Sequence, residues 1–141
     1  MIRRIEPEEI NDVLIVWINA SIQAHSFIDE EFWKSKMVDM RETYIPNSET
    51  YIYKENEIIK GFFSLQGNTL AAMFVSIEFQ SNGIGRKMME KAKTLRKFLE
   101  LTVYKENQKG IAFYKNCGFK IIKEKVDIHT GHIEILMNYG C

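Results

Sequence analysis

Cysteine, proline, histidine and net charge are all scarce in this chain. Two cysteines, Cys117 and Cys141, are too few for a disulfide framework. Three histidines (His25, His129, His132) and no metal-ligand spacing leave no structural zinc signature, so no metal is expected. Two prolines, Pro7 and Pro46, mark no linker, and no repeat or low-complexity tract occurs. Nineteen Lys and Arg balance nineteen Asp and Glu, a formal charge of zero. That disfavours a nucleic-acid partner held by a strongly basic face. No apolar run exceeds six residues (Val13 to Ile18 and Leu70 to Val75). A membrane span needs about 20. The opening MIRRIEPEEI is charged where a signal peptide is apolar. A cytoplasmic protein without a membrane partner is therefore expected.

What is present is an ordinary globular composition, 45% hydrophobic and 27% charged over 141 residues. Residues 1–141 are expected to form one domain able to bury its own core. Cys117 reads as a small buried hydrophobe and Cys141 as a frayed terminus.

The chain alternates strand and helix signals. Ile2 to Ile5 reads as a short strand, and Pro7 suits the first turn of a helix. Ile10, Val13, Leu14 and Trp17 fall on one face of that helix. Asp29 is a candidate N-cap for a second helix, with Glu30 and Glu31 in its first turn. Its apolar face would carry Trp33, Met37, Met40 and Tyr44, and Pro46 would stop it. Tyr51 to Lys54, Ile58 to Gln66 and Thr69 to Ile77 read as three strands. The last does not alternate, so it reads as a central strand covered on both faces. A helix follows Gly85, with Ile84, Met88, Ala92 and Leu95 on one face, and then a strand from Phe98 to Tyr104. Asn107 caps a short helix ending at Gly118. Two strands close the chain, about Phe119 to Asp127 and His132 to Tyr139. Helices set between strands predict a mixed α/β (α+β) sheet.

The strongest chemical feature is the junction Gln80-Ser81-Asn82-Gly83-Ile84-Gly85. A strand enters a glycine-bearing loop that opens a helix, leaving unpaired N–H groups at the positive end of its dipole. Gly83 and Gly85 let an anion approach the backbone, and Arg86 and Lys87 add positive charge. A Walker loop is absent, and Met88 stands where a dinucleotide loop needs its third glycine. A strand later comes Asn107-Gln108-Lys109-Gly110-Ile111-Ala112-Phe113-Tyr114, then Gly118-Phe119.

Together these segments resemble the GCN5-related N-acetyltransferase (GNAT) family. Gln80, Gly83 and Gly85 match its first motif; Asn107, Phe113, Tyr114, Gly118 and Phe119 match its second. The resemblance extends over essentially the whole chain. The segment His25-Ser26-Phe27-Ile28 with Trp33 is similar to the small, single-domain bacterial branch. The resemblance implies a twisted mixed sheet with helices on both faces and a splayed central strand pair. It implies acetyl-CoA as the donor. Backbone groups of Met73, Phe74 and Val75 would pair with the pantetheine arm. The loop Gln80, Ser81, Asn82, Gly83, Ile84, Gly85, Arg86 would wrap the pyrophosphate.

In the same resemblance Asn107 lies near the pantetheine, a role set beside plain helix capping. Tyr114 would hydrogen-bond the thioester sulfur and donate the proton that the departing thiolate needs. The attacking amine must be neutral, yet Thr69 to Ile77 holds no Asp or Glu where many relatives keep a base. His25 is one candidate base and a water chain another; neither is singled out. Ser81 also departs from the basic residue usual there. Phe27, Ile28 and Trp33, with His25, are candidates for acceptor contacts or for ordinary inter-helix packing.

The expected activity is transfer of an acetyl group from acetyl-CoA to a primary amine by direct attack. The acceptor, small molecule or protein, is not legible. A noncatalytic acetyl-CoA sensor on the same fold is the rival, an ATP-binding domain a weaker one, and a homodimer is the commonest assembly for such domains.

Overall fold

The computed structural model describes residues 1–140, so Cys141 lies outside the described residues. The elements run β1 (Ile2–Arg4), a 3-10 turn at Pro7–Glu9, α1 (Ile10–Ala24), α2 (Glu30–Ser35) and α3 (Met37–Asp39). They continue with β2 (Glu49–Glu55), β3 (Ile58–Gln66), β4 (Thr69–Val75) and α4 (Ile84–Leu95). The chain closes with β5 (Phe98–Tyr104), α5 (Gln108–Asn116), β6 (Lys120–Val126) and β7 (Ile133–Gly140).

The seven strands form one sheet in the order β1-β2-β3-β4-β5-β7-β6. Every neighbouring pair is antiparallel except β4 and β5. Strand alternation divides the core into two. On one face Tyr51, Phe63, Leu99, Leu101 and Met137 pack under α4 and α5. On the other Ile52 and Phe62 pack under α1 and α2 against Val13, Leu14, Trp17 and Trp33.

One buried acid ties the first elements together. Arg3 forks onto Glu9 at 2.9 and 2.8 Å, and Lys54 Nζ reaches it at 3.0 Å. The Glu6 backbone N–H donates to the same carboxylate at 3.0 Å. The Arg3 guanidinium is the largest influence, and it holds the Glu9 carboxyl down to about 2.

The second helix departs from the sequence expectation. Asp29 caps it, accepting from the Glu31 N–H at 2.9 Å. It breaks after Ser35, and α3 passes into a wide π-turn at Met40–Tyr44, closed by the Ile45 N–H on the Met40 carbonyl at 3.0 Å. The extra residue in that turn rotates Ile45 into the core and leaves Tyr44 exposed. Strand β4 also differs. It ends at Val75, not Ile77, and only Leu70 is buried, so it is not covered on both faces as its unbroken apolar run suggested.

Candidate active site

Strands β4 and β5 meet at a single register pair, Thr69 with Glu100, supported by the Glu100 N–H on the Asn68 carbonyl at 2.9 Å. Beyond that rung they part, so the cleft opens toward Val75 and Tyr104. A bulge at Ala71 lies just past the rung, where the β3 register steps from Leu65–Leu70 to Ser64–Ala72. Met73, Phe74 and Val75 pair with Phe63, Phe62 and Gly61 of β3 on one side. On the β5 side they have no strand partner. Such an edge suits an extended, amide-bearing ligand laid in as an added strand. The splay inferred from family resemblance is thus present.

At the wide end the chain makes a 3-10 turn, Ile77–Phe79, before entering α4. Gln80 Nε2 donates to the Val75 carbonyl at 3.1 Å and Asn82 Nδ2 to the Phe79 carbonyl at 3.3 Å. Gly83 begins α4 with φ at +81°, a left-handed conformation natural to glycine, and no side chain caps the helix. A Cβ on Gly83 would meet nothing within 4 Å, so the backbone there faces open space. Ser81 shares the left-handed region at φ +68° and Ile84 anchors the turn in the core. Arg86 and Lys87 are exposed beside the first-turn N–H groups. Gly85 has a second reason to be small: a Cβ would stand 3.2 Å from Phe113 Cζ of α5.

Across the cleft, Asn107 caps α5, its Oδ1 accepting from the Gly110 N–H at 3.0 Å. Tyr114, one helical turn past Gly110, is half-buried between Phe113 and Phe119, at ring separations of 5.3 and 5.8 Å. Burial pushes its phenol up to about 12, so it carries a proton at neutral pH. Its hydroxyl has no hydrogen-bond partner among the described residues. Cys117 is buried and its thiol is pushed up by burial, which suits packing and not nucleophilic attack.

The opposite face carries a wall of rings from three separate segments. His25 at the end of α1 stacks on Trp33 at 4.9 Å and meets Tyr104 edge-on at 5.3 Å. Phe27 reaches Tyr104 at 5.8 Å and His132 at 5.1 Å. The Tyr104 hydroxyl donates to Asp127 Oδ2 at 2.5 Å, and His132 Nδ1 lies 2.9 Å from Glu106 Oε1. His25 is only 7% exposed; its Nδ1 and the Trp33 Nε1 are buried with no partner among the described residues. Desolvation lowers the His25 value from its ordinary 6.5, so the ring is neutral at pH 7. Ile28 and Trp33 belong to the core under α1, whereas Phe27 is partly exposed. Tyr104, Asp127, His132 and Glu106 were not singled out from sequence, since only the β5–β7–β6 register brings them together.

A mixed sheet parted at its middle, with an uncapped helix start at the open end and a protonated phenol across the gap, fits an acyl-CoA-dependent transferase. This chain belongs to the GNAT acetyltransferase family: the model described as an Acetyltransferase (GNAT) domain matches residues 46–121. The chain is 32% identical over 123 residues to the peptidyl-lysine N-acetyltransferase YiaC of Escherichia coli K12, covering 86% of this chain and 84% of that one. It superposes on the solution structure of apo YjaB from Escherichia coli with a TM-score of 0.87 at 25% identity, over 100% of this chain and 98% of that one. The PaiA N-acetyltransferase of Thermoplasma acidophilum, solved with coenzyme A, shares the fold at a TM-score of 0.82 and 17% identity, over 100% and 98% of the two chains. The protein is accordingly an acetyl-CoA-dependent N-acetyltransferase.

Proposed function

We propose that the protein moves the acetyl group of acetyl-CoA directly onto the side-chain amine of lysine in a peptide or protein. The observation that carries this reading is the cleft with two different walls. One is backbone and helix N-terminus, suited to a pantetheine arm and its phosphates. The other is aromatic and acidic, suited to an alkyl chain ending in an ammonium group. The names of YiaC and YjaB, both peptidyl-lysine N-acetyltransferases, support the acceptor class.

Acetyl-CoA supplies the activated acyl group. Met73 and Val75 hold the pantetheine amides through their outward backbone groups, with Phe74 between them turned to Phe62 of β3 and Asn107 beside them on α5. The loop from Gln80 to Arg86 holds the pyrophosphate by backbone N–H groups, which makes good the missing basic side chain at Ser81. Tyr114 keeps its proton until sulfur needs it. Phe27 and Tyr104 flank the incoming alkyl chain, and His25 and Trp33 set the Tyr104 ring from behind. The Glu106 and Asp127 side chains at the rim attract the cation.

The test titrates the protein with acetyl-CoA by calorimetry, with ATP as control, and then offers lysine peptides, polyamines and amino sugars while free thiol is followed. Binding of acetyl-CoA without ATP, and turnover of lysine peptides above the small amines, is the expected result. Turnover confined to small amines would overturn the acceptor assignment.

A further inference from the structure

The transfer needs a neutral nitrogen, and a lysine side chain has a pKa of about 10.4. A base must therefore work inside the cleft. Strand β4, Thr69–Val75, carries no acid, and Glu78 beyond it is exposed in the phosphate loop. The neighbouring strand supplies one. Along β5 the side chains of Leu99, Leu101 and Val103 enter the core beneath α4, so Glu100, Thr102 and Tyr104 alternate onto the acceptor face.

Glu100 stands at the rung where the two strands meet, the blind end of the cleft. There it lines a cavity of about 310 Å³ with Thr69, Ala71, Thr102, Lys125 and Leu136. A water occupies about 30 Å³ of liquid, so this space has room for an amine and bridging waters. The Glu100 backbone is pinned on both sides, by Asn68 and by its register partner Asn138 of β7. Its carboxylate, by contrast, makes no hydrogen bond or ion pair among the described residues. Its carboxylate is thus free to meet a ligand that enters the cavity, on a backbone held rigid by both neighbours. The titratable groups facing this cavity are Lys125 of β6, with Lys120 further along the Glu100–Asn138 row and Tyr104 and Glu134 toward the open end. His25 is sealed behind Tyr104 and does not line the cavity.

We infer that Glu100 is the general base of the transfer, acting on the acceptor nitrogen directly or through one water; this rests on the direct-transfer reading above. Of the two protons the ammonium nitrogen loses, Glu100 takes the first and passes it to solvent. The nitrogen lone pair then forms the C–N bond to the thioester carbonyl, and collapse breaks the C–S bond. Tyr114 gives its proton to the leaving sulfur, and the second proton from nitrogen restores the phenol. The products are the acetylated amine, free CoA thiol and one released proton.

The experiment compares wild type, Glu100→Gln and Glu100→Asp on the best-acetylated primary amine, recording kcat/KM against pH, acetyl-CoA affinity and Tm. Glu100→Gln is expected to lower kcat/KM by about 10²- to 10³-fold near pH 7, the scale of general base catalysis. The deficit should narrow as pH rises toward the pKa of the amine, with acetyl-CoA affinity and Tm unchanged. Partial recovery in Glu100→Asp is expected. A Glu100→Gln profile that overlays wild type would overturn the assignment. A fall in Tm and acetyl-CoA affinity that accounts for the lost activity would also overturn it, as would transfer of the acid limb to a His25→Asn variant. The direct-transfer reading fails separately, if intact mass shows acetylated enzyme after mixing with acetyl-CoA alone.

Discussion

In the proposed reaction Tyr114 is the side chain that meets the thioester sulfur. Its ring is fixed by Phe113 and Phe119, and burial keeps its proton in place. Removing only the hydroxyl leaves that packing intact. Tyr114→Phe is expected to bind acetyl-CoA as wild type does and to lose about 10²-fold in kcat. Paired calorimetry and thiol-release kinetics check both halves. Tyr114 was picked out by the family resemblance, whereas the cap at Asn107 and the left-handed helix start at Gly83 were legible because each is set within its own turn. Glu100 was not. Nothing local separates it from any polar residue of a half-exposed strand; its meaning comes from pairing with Thr69, 31 positions earlier in the chain. The Tyr104–Asp127 and His132–Glu106 contacts were hidden for the same reason. Ile28 and Trp33 were read as wall or packing, and burial places both in the core.

Elements were legible where one period held from end to end. Strand β3 falls between its two flanking turns and β5 follows its alternation, and the cap at Asp29 is used as expected. The long second helix was misread because a π-turn changes the phase of its apolar face, and period counting assumes a fixed phase. The contact between β3, β4 and α4 has its own test. A Cβ on Gly61 would lie 2.9 Å from the Phe74 carbonyl and 3.0 Å from Met88 Cε. Gly61→Ala should therefore destabilise by about 1–3 kcal/mol, the range for overpacking. It should also weaken acetyl-CoA binding, since the displaced carbonyl lies between Met73 and Val75, whose outward backbone groups are proposed to hold the pantetheine. Denaturant melts and calorimetry on one preparation separate the two effects. Retained stability would show that α4 yields at Met88.

At the scale of the whole molecule, pH acts through two buried groups in the same direction. Glu9 is held from 4.5 down to about 2 by Arg3, Lys54 and the Glu6 N–H. Between those values the unfolded chain binds the proton and the folded one does not. The contribution of Glu9 is therefore complete above about pH 4.5 and lost as pH falls toward 2. His25, lowered by desolvation, adds a loss that begins as pH drops below 6.5. The melting temperature should fall monotonically through the acid range, and Glu9→Gln should flatten the lower part of that fall. An equally steep decline in the variant would mean that Glu9 does not anchor β1 to α1 as its contacts indicate.

A sheet joined at its middle by one rung has little stiffness of its own at that line. The gap between β4 and β5 is spanned from behind by α4, whose Met88, Met89 and Ala92 share one core with Leu70, Leu99 and Leu101. The breadth of the cleft is thus a packing dimension, set by side-chain volumes on the far side of the sheet from the incoming amine. Core residues that touch neither donor nor acceptor act as the calliper of the active site, and methylene-sized changes among them would retune its reach without altering any group that does chemistry.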